Sequence, residues 1–212
     1  AEFEFLADLR NSGVEGIAFW LQNPNERTVD LLRKFQKSGF PFVLIDRYVR
    51  EMDADFVVTD NLDASYQLTS ALIKRGHRRI GFVSTALDNT TSEDRFAGYQ
   101  KGLADYGLPY DPDLTAIFGR QGESAGMLVS RVMAQRERPT AFVCTNDGVA
   151  EKLIDKLGVL GYEVPGDVEL ATVDDNEFAD ALGISMVIAS QAGFEMGKTS
   201  AEVLLKRIAT PE

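Results

Sequence analysis

The chain has 212 residues, of which 44% are hydrophobic and 26% are charged, a composition typical of a globular protein with a large core. Its 33 acidic and 22 basic residues give a formal net charge of −11, which disfavours nucleic-acid binding by this chain itself. The single cysteine cannot form an internal disulfide, and with one histidine the sequence predicts no metal site and no cofactor. No apolar run reaches the ~18–20 residues that cross a bilayer, so we expect no membrane contact.

Short apolar runs recur along the chain and predict strands that alternate with helices. Three runs lie in the N-terminal part, at 17–21, 42–45 and 56–58. Five more follow, at 80–83, 114–118, 141–145, 168–173 and 185–189. Because these runs are apolar throughout rather than alternating, they are typical of parallel strands covered by helices on both faces. The sequence therefore predicts an α/β fold with parallel sheets.

One strand–helix–strand unit carries polar residues at the end of both of its strands. Asn146 and Asp147 follow the first strand, and Asp174 and Asp175 follow the second. In open parallel sheets, ligands bind outside the carboxyl ends of the strands. These positions therefore predict a ligand site before any family is considered.

Three interpretations of these polar residues are open. In a ligand clamp, the carboxylates would accept hydrogen bonds from vicinal sugar hydroxyls, and the planar guanidinium of Arg95 would complement them. In a structural role, Asp147 would cap the following helix. In a glycosidase, Asp147 and Asp174 or Asp175 would act as a carboxylate pair, but no proton-transfer partner is evident. We expect the clamp, and no enzyme.

A segment near the C-terminus, 192–199, satisfies a relaxed phosphate-binding-loop pattern that ends in Lys198 and Thr199. A phosphate-cradling loop needs backbone freedom, yet Phe194 and Glu195 fill the loop, and Glu195 would repel phosphate. We therefore expect a helix N-terminus here and no nucleotide site.

Other residues that could carry chemistry are expected to be structural. His77 lies in a helix-to-strand turn, and Cys144 lies inside an apolar strand, where it would be a small buried hydrophobic residue. Gly81 and Gly98 are expected at positions of close backbone approach.

Several motifs, taken in order, resemble the lac-repressor (LacI/GalR) family of sugar-responsive transcription regulators. They are Val43–Arg47, Asp60–Asn61, Leu72–Phe82, Asp94–Tyr99, Arg138–Asp147, Gly161–Val168, Val173–Asp175 and Ala201–Ile208. The match runs from about Gly13 to Ile208, and motifs in the right order are more specific than any one of them.

This resemblance implies two Rossmann-like lobes of the periplasmic-binding-protein-like type I, with the N-terminal lobe incomplete. The N-terminal lobe would comprise 1–60 plus 190–212, and the C-terminal lobe 61–189. A small polar, sugar-like effector would bind in the cleft between the lobes. A helix-turn-helix outside this chain would bind operator DNA. The implied protein is a cytoplasmic homodimer. The alternative function is the solute-binding protein of a sugar transporter.

The resemblance also implies particular ligand contacts. Arg95, Asn146 and Asp174 align with ligand-contacting positions of the family. Asp60 would lie where the chain crosses between lobes, and Gln191 where it crosses back.

The chain departs from the family where aromatic side chains usually contact the ligand, because Gly193 and Arg120 stand near those positions. Other aromatic residues could substitute, chiefly Trp20, Phe19 and Tyr48. Arg120, together with Arg95 and Arg47, could instead give the pocket cationic character. The effector is therefore expected to be either an anionic sugar derivative or a neutral sugar.

Overall fold

The computed structural model describes residues 2–22, 25–119, 124–175 and 177–210. Within these ranges the strands are β1 (Ile17–Trp20), β2 (Phe42–Ile45), β3 (Asp55–Val57), β4 (Ile80–Ser84), β5 (Thr115–Ile117), β6 (Ala141–Cys144), β7 (Glu169–Val173) and β8 (Val187–Ala189). The helices are α1 (Glu2–Asn11), α2 (Glu26–Lys37), α3 (Asn61–Lys74), α4 (Thr90–Asp105), α5 (Ala125–Met133), α6 (Asp147–Val159), α7 (Glu177–Ala181) and α8 (Gly193–Ala209). None of the described helices is long and apolar enough to cross a membrane.

The chain forms two compact units. The first comprises Ala1–Thr59, Asn89–Thr91 and Ala192–Glu212, and the second comprises Asp60–Asp88 and Ser92–Gln191. The three residues from Asn89 to Thr91 belong to the first unit although they lie within the second in sequence, which the apolar pattern did not predict.

The first unit contains a parallel three-stranded sheet in the order β1-β2-β3. Leu32 and Phe35 of α2 are fully buried in its core, together with Leu6 of α1. Asn25 caps α2 because its side-chain oxygen accepts a hydrogen bond from the Thr28 amide at 3.0 Å. Helix α8 packs against all three strands.

The second unit contains a parallel five-stranded sheet in the order β5-β4-β6-β7-β8. Successive residues of each strand point to opposite faces, so Phe82 and Val83 of β4 enter two different hydrophobic clusters. Helices α5 and α6 contribute to one cluster, and α3 and α4 contribute to the other. The expectation of a parallel α/β fold is confirmed, and strands β2, β4, β6 and β7 are largely buried on both faces, whereas β1, β3 and β8 are partly exposed.

Three local features were not predicted by the apolar runs. Helix α4 begins at Thr90, within the polar segment 84–94. Leu114 was expected in a strand, but it ends a short 3-10 helix, Pro112–Leu114, which Asp111 caps. The five-residue helix α7 was not predicted, because it is too short to show a helical period.

Gly81 and Gly98 do mark close approaches, as expected. A Cβ on Gly98 would lie 2.1 Å from the carbonyl oxygen of Leu62, so α3 and α4 meet at backbone distance. A Cβ on Gly81 would lie 2.3 Å from the ring of Phe142. Cys144 is fully buried and burial raises the pKa of its thiol, which fits a small core residue.

Candidate ligand-binding site

Arg95 is the centre of a polar group at the carboxyl end of the sheet in the second unit. It lies on α4 and is only 3% exposed. Its Nε donates to the side-chain oxygen of Asn61 at 2.8 Å, and its Nη1 donates to the carbonyl oxygen of Thr145 at 2.5 Å. Its Nη1 also lies 4.0 Å from Oδ2 of Asp174. A buried guanidinium needs such acceptors, because an unpaired buried charge is costly.

Another residue caps α3, which leaves the side chain of Asn61 available to Arg95. The N-cap of this helix is Asp60, whose Oδ1 accepts a hydrogen bond from the Asp63 amide at 2.9 Å. Asn61 is the first residue of the helix and is 4% exposed, so its side chain points into the protein. Asp60 itself is exposed and has a capping role here.

Asp174 follows β7 directly and has a left-handed backbone conformation with φ 75°. The side-chain amide of Gln191 donates to its Oδ1. The neighbouring Asp175 accepts from the Ser190 hydroxyl at 2.5 Å. The structure therefore brings together Arg95, Asp174 and Gln191, three of the predicted site residues.

Asn146 and Asp147 lie at the start of α6, beyond the end of β6. The side-chain oxygen of Asn146 accepts from the Val149 amide at 2.9 Å, so Asn146 is the N-cap. The capping role that the sequence allowed for Asp147 is wrong, because Asp147 lies in the first turn, where its negative charge suits the helix dipole. Since the Asn146 oxygen faces the helix, its amide nitrogen is the group suited to donate to a ligand.

A second polar group surrounds the carboxyl end of the sheet in the first unit. Asp46 follows β2 and also has a positive φ, of 67°. The indole nitrogen of Trp20 donates to Asp46 Oδ2 at 2.9 Å. The guanidinium of Arg47 donates to the carbonyl oxygen of Gln22 and lies 5.8 Å from the centre of the Trp20 ring. Trp20 is 54% exposed, so one large aromatic surface is accessible at this edge.

The other aromatic and cationic candidates are placed differently. Phe19 is partly buried against the core of the first unit. Tyr48 stacks on Phe56, with ring centres 4.6 Å apart and an angle of 18° between the planes. Arg120 lies outside the described residues.

The segment that resembled a phosphate-binding loop is helical from Gly193 onward. Lys198 lies on an exposed face of α8, 4.0 Å from Glu195. A phosphate-binding loop lies ahead of its helix and presents backbone N–H groups to the phosphate. Here the backbone N–H groups from Gly197 onward lie inside the turns of α8. This geometry agrees with the expected helix N-terminus.

His77 belongs to a separate polar cluster at the amino ends of β6 and β7. Its Nε2 lies 2.8 Å from Glu169 Oε2, and its Nδ1 lies 2.8 Å from the Thr140 hydroxyl. Arg75 forms an ion pair with the same carboxylate. Burial raises the pKa of Glu169, but hydrogen bonds from His77 and Arg75 and the charge of Arg75 outweigh it, so the pKa lies below its usual value. The cluster links neighbouring loops, in agreement with the structural role expected for His77.

Sequence reasoning missed Asn61 and Thr145 as partners of Arg95. The only feature of the sequence that could have indicated them is that Asn61 and Thr145 each lie where a strand passes into a helix, as Asp174 does. Their pairing depends on how α3, α4 and β6 pack, since Asn61 is 34 residues and Thr145 is 50 residues from Arg95 in the chain.

Comparison with known proteins identifies the fold family. Residues 69–212 match the family model described as a periplasmic binding protein-like domain. The chain belongs to the periplasmic binding protein-like domain family.

Similar members of this family are transcription regulators. The chain is 32% identical over 188 residues to a probable HTH-type transcriptional regulator, EndR, of Paenibacillus polymyxa, covering 87% of this chain and 55% of the relative. It is 28% identical over 204 residues to the HTH-type transcriptional repressor PurR of Aliivibrio salmonicida, covering 96% and 61%. The chain thus spans less than two thirds of the length of these relatives.

A solved structure agrees with this family assignment. The crystal structure of a LacI family transcriptional regulator from Enterococcus faecium, with bound ribose, superimposes with a TM-score of 0.80 and 25% identity, covering 99% of this chain and 77% of that chain. The resemblance to lac-repressor regulators inferred from the motifs is confirmed, as is the periplasmic-binding-protein-like fold.

Proposed function

We propose that this chain is the effector-sensing part of a LacI-type transcription regulator and that its second unit binds a small polyhydroxylated effector at the carboxyl ends of its strands. The observation that carries the proposal is the buried Arg95, held by Asn61 and Thr145 with Asp174 beside it. The ribose bound to the regulator of Enterococcus faecium supports a sugar-like ligand.

The chemistry of the group favours a neutral ligand. Asp174 would accept hydrogen bonds from hydroxyl groups, and the amide nitrogen of Asn146 would donate to a ring or hydroxyl oxygen. Arg95 has protein acceptors for two of its nitrogens and is 3% exposed, so it offers little to a ligand phosphate or carboxylate. The anionic effector that Arg47 and Arg120 suggested stays a prediction.

Within the first unit, Trp20 has an exposed aromatic ring of the kind that can stack on a sugar, and its indole nitrogen donates to Asp46. Gln191 would hold Asp174 in place. The two compact units would be the two lobes of the effector domain. We assign no catalytic role to any of these residues.

For the whole protein, we propose that operator DNA is bound by a helix-turn-helix that this chain does not contain, in a cytoplasmic homodimer. The relatives named above are transcription regulators, which favours this function over the solute-binding protein of a transporter.

Isothermal titration with a panel of neutral pentoses, hexoses and disaccharides and their phosphorylated forms tests the ligand proposal. We expect a neutral sugar to bind, and the Asp174→Asn variant to bind it about 10–100-fold more weakly, since hydrogen bonds to a charged group contribute roughly 1.5–3 kcal/mol. The asparagine keeps the size of the side chain and tolerates positive φ.

The control is Asp105→Asn, which removes an exposed carboxylate at the end of α4 that forms an ion pair with Lys101 of the same helix. It should leave binding unchanged. Equal weakening by both variants, or binding of phosphorylated sugars alone, would contradict the proposal.

A further inference from the structure

Two short segments at one end of the second unit concentrate positive charge. Residues 74–79 lead from the end of α3 into β4, and residues 135–140 lead from α5 into β6. Together they contain six of the 22 basic residues of the chain and one of its 33 acidic residues. The six are Lys74, Arg75, Arg78, Arg79, Arg136 and Arg138. This end of the unit therefore differs in charge from the chain as a whole, whose net charge is −11.

Hydrogen bonds hold the two segments side by side. The backbone amide of Thr140 donates to the Arg79 carbonyl oxygen at 3.0 Å, and Arg79 Nε donates to the Glu137 carbonyl oxygen at 2.6 Å. The Nδ1 of His77 lies 2.8 Å from the Thr140 hydroxyl oxygen. The six basic residues therefore form one surface at the amino ends of β4 and β6, termed the basic surface.

Two of the six charges are neutralised by carboxylates of the second unit. Arg75 forms an ion pair with Glu169, and Arg79 Nη2 lies 3.1 Å from Oδ2 of Asp111. The remaining four residues form no ion pair with a carboxylate in the part of the chain that the structure describes. They are Lys74, Arg78, Arg136 and Arg138.

Two of these four are held in place by uncharged groups. Arg78 Nη1 donates to the carbonyl oxygens of Ile73 and His77, both at 3.0 Å. The guanidinium of Arg138 lies 4.6 Å from the centre of the Tyr162 ring. Carbonyl groups and an aromatic ring fix the position of a guanidinium but do not cancel its charge. The basic surface therefore presents ordered cations whose charge is available to an anion.

The chemistry of the basic surface fits a short run of carboxylates. Five of its six basic residues are arginines, whose planar fork can hold a carboxylate through two hydrogen bonds. Lys74, Arg75, Arg78 and Arg136 are exposed, whereas sites for small ligands are concave and enclose most of the ligand. A long polyanion such as DNA would extend beyond the basic surface and meet the acidic remainder of the chain. A short acidic segment avoids both problems.

We propose that the basic surface binds a short, aspartate- and glutamate-rich segment of a partner protein. This surface lies at the amino ends of β4 and β6, whereas Arg95 and Asp174 lie at the carboxyl end of the same sheet. A partner protein and an effector would therefore occupy opposite ends of the second unit and can bind at the same time. The proposal does not depend on which effector the chain binds.

The affinity should depend strongly on salt. Single ion pairs between exposed groups contribute little, so several must act together to hold the segment. Salt screens all of them, and the screening length falls from tens of ångströms in dilute buffer to about 8 Å at physiological ionic strength. We therefore expect reversible binding that weakens as the salt concentration rises.

Fluorescence anisotropy of a labelled peptide of alternating glutamate and glycine tests the proposal at low salt. The chain should bind this peptide and should not bind the same peptide with glutamine in place of glutamate. The double variant Lys74→Glu/Arg136→Glu should weaken binding roughly tenfold or more, because it places like charges opposite the peptide. The milder Lys74→Gln/Arg136→Gln should weaken it by a smaller factor. Circular dichroism checks that each variant keeps its helices.

The matched control is Lys152→Glu/Lys198→Glu. It changes the net charge by the same amount at two exposed positions, one on α6 and one on α8. Because neither residue belongs to the basic surface, this variant should bind the glutamate peptide nearly as tightly as the unsubstituted chain. The comparison separates a local contact from an effect of net charge.

Competition distinguishes an acidic protein segment from other anions. Inorganic phosphate should displace the glutamate peptide no better than sodium chloride of the same ionic strength, and unlabelled duplex DNA should not displace it. The proposal is wrong if the glutamate peptide does not bind at low salt, if the glutamine peptide binds equally well, or if the two charge-reversal variants weaken binding equally. Specific displacement by phosphate, or displacement by DNA, would overturn it as well.

Discussion

Asp46 and Asp174 occupy matching places in the two units. Each follows a buried strand, each has a positive φ, and each accepts a side-chain hydrogen bond, from Trp20 and from Gln191 respectively. The left-handed region costs an L-residue roughly 1–2 kcal/mol, and aspartate tolerates it better than most. Such strain in two equivalent strand-end positions is typical of residues kept for binding rather than for stability.

The strain at Asp46 can be measured by comparing two substitutions. Asp46→Ala and Asp46→Gly both remove the acceptor of the Trp20 indole, but only glycine relaxes the positive φ. We expect the free energy of unfolding of the alanine variant to be lower than that of the glycine variant by about 1 kcal/mol. Urea denaturation of both variants measures this difference. Equal stabilities would mean that the backbone at Asp46 is unstrained.

Some of the site could be predicted from residues and some could not. Asp174 and Asn146 were predicted because each directly follows an apolar strand. Their place in the sequence is enough to put them at the carboxyl ends of those strands. Arg95 was predicted from its chemistry and from the family motif, but its burial was not predicted. Asn61 and Thr145 would lose their hydrogen-bond donor if Arg95 were removed. Burial of a helix residue depends on packing that the local sequence does not contain.

Helices α3 and α4 of the second unit approach each other closely at two glycines. Gly98 lies against the Leu62 carbonyl, and Gly102 lies against the side chain of Thr69. The contact matters for the site because Arg95 is one turn before Gly98 and reaches Asn61 of α3.

Gly98→Ala should therefore separate these helices. A Cβ 2.1 Å from a backbone oxygen cannot be accommodated without a shift, and overpacking of this kind costs about 1–3 kcal/mol. Gly158→Ala is the matched control, because a Cβ there meets nothing within 4 Å and alanine stabilises a helix by roughly 0.5–1 kcal/mol. Thermal unfolding should shift in opposite directions for the two variants; a shift in the same direction would contradict the close contact.

The loop cluster around Glu169 should give a pH-dependent stability. Because the folded-state pKa of Glu169 is lowered, its interactions stabilise the fold above the unfolded-state pKa and are lost as the pH falls through the folded-state pKa. Glu169→Gln should lower the free energy of unfolding at pH 7 by about 1 kcal/mol. The difference from the unsubstituted protein should shrink in acid, below the usual glutamate pKa. Denaturation at several pH values measures it, and a difference independent of pH would show that the carboxylate charge is not involved.

At the level of elements, the short apolar runs predicted the strands well, because the central strands of a parallel sheet are covered on both faces and are apolar throughout rather than alternating. Boundaries that depend on polar residues were predicted poorly. Helix α4 begins with Thr90 and Thr91, whose hydroxyl groups contact the residues after β2, including the Asp46 carbonyl at 2.9 Å. These tertiary hydrogen bonds, not helical periodicity, determine where α4 begins.

The charge of the whole molecule bears on its proposed role. A net charge of −11 repels the phosphate backbone of DNA, because 33 acidic residues outnumber 22 basic ones. A regulator built from such a sensing part needs a separate basic segment to bind its operator.

We therefore expect the 212-residue chain alone to show no measurable affinity for duplex DNA. Non-specific binding of proteins to DNA arises almost entirely from the release of counterions by basic groups, with dissociation constants of about 10⁻⁴–10⁻⁶ M at physiological salt. Fluorescence anisotropy of a labelled duplex, titrated with this chain at low and at physiological salt, should stay unchanged because its basic residues are outnumbered by acidic ones. Adding a sugar that binds the chain should not change this result. Binding that weakens with rising salt would show that basic residues of this chain contact phosphate directly, and the sensing part would then have a DNA-binding role of its own.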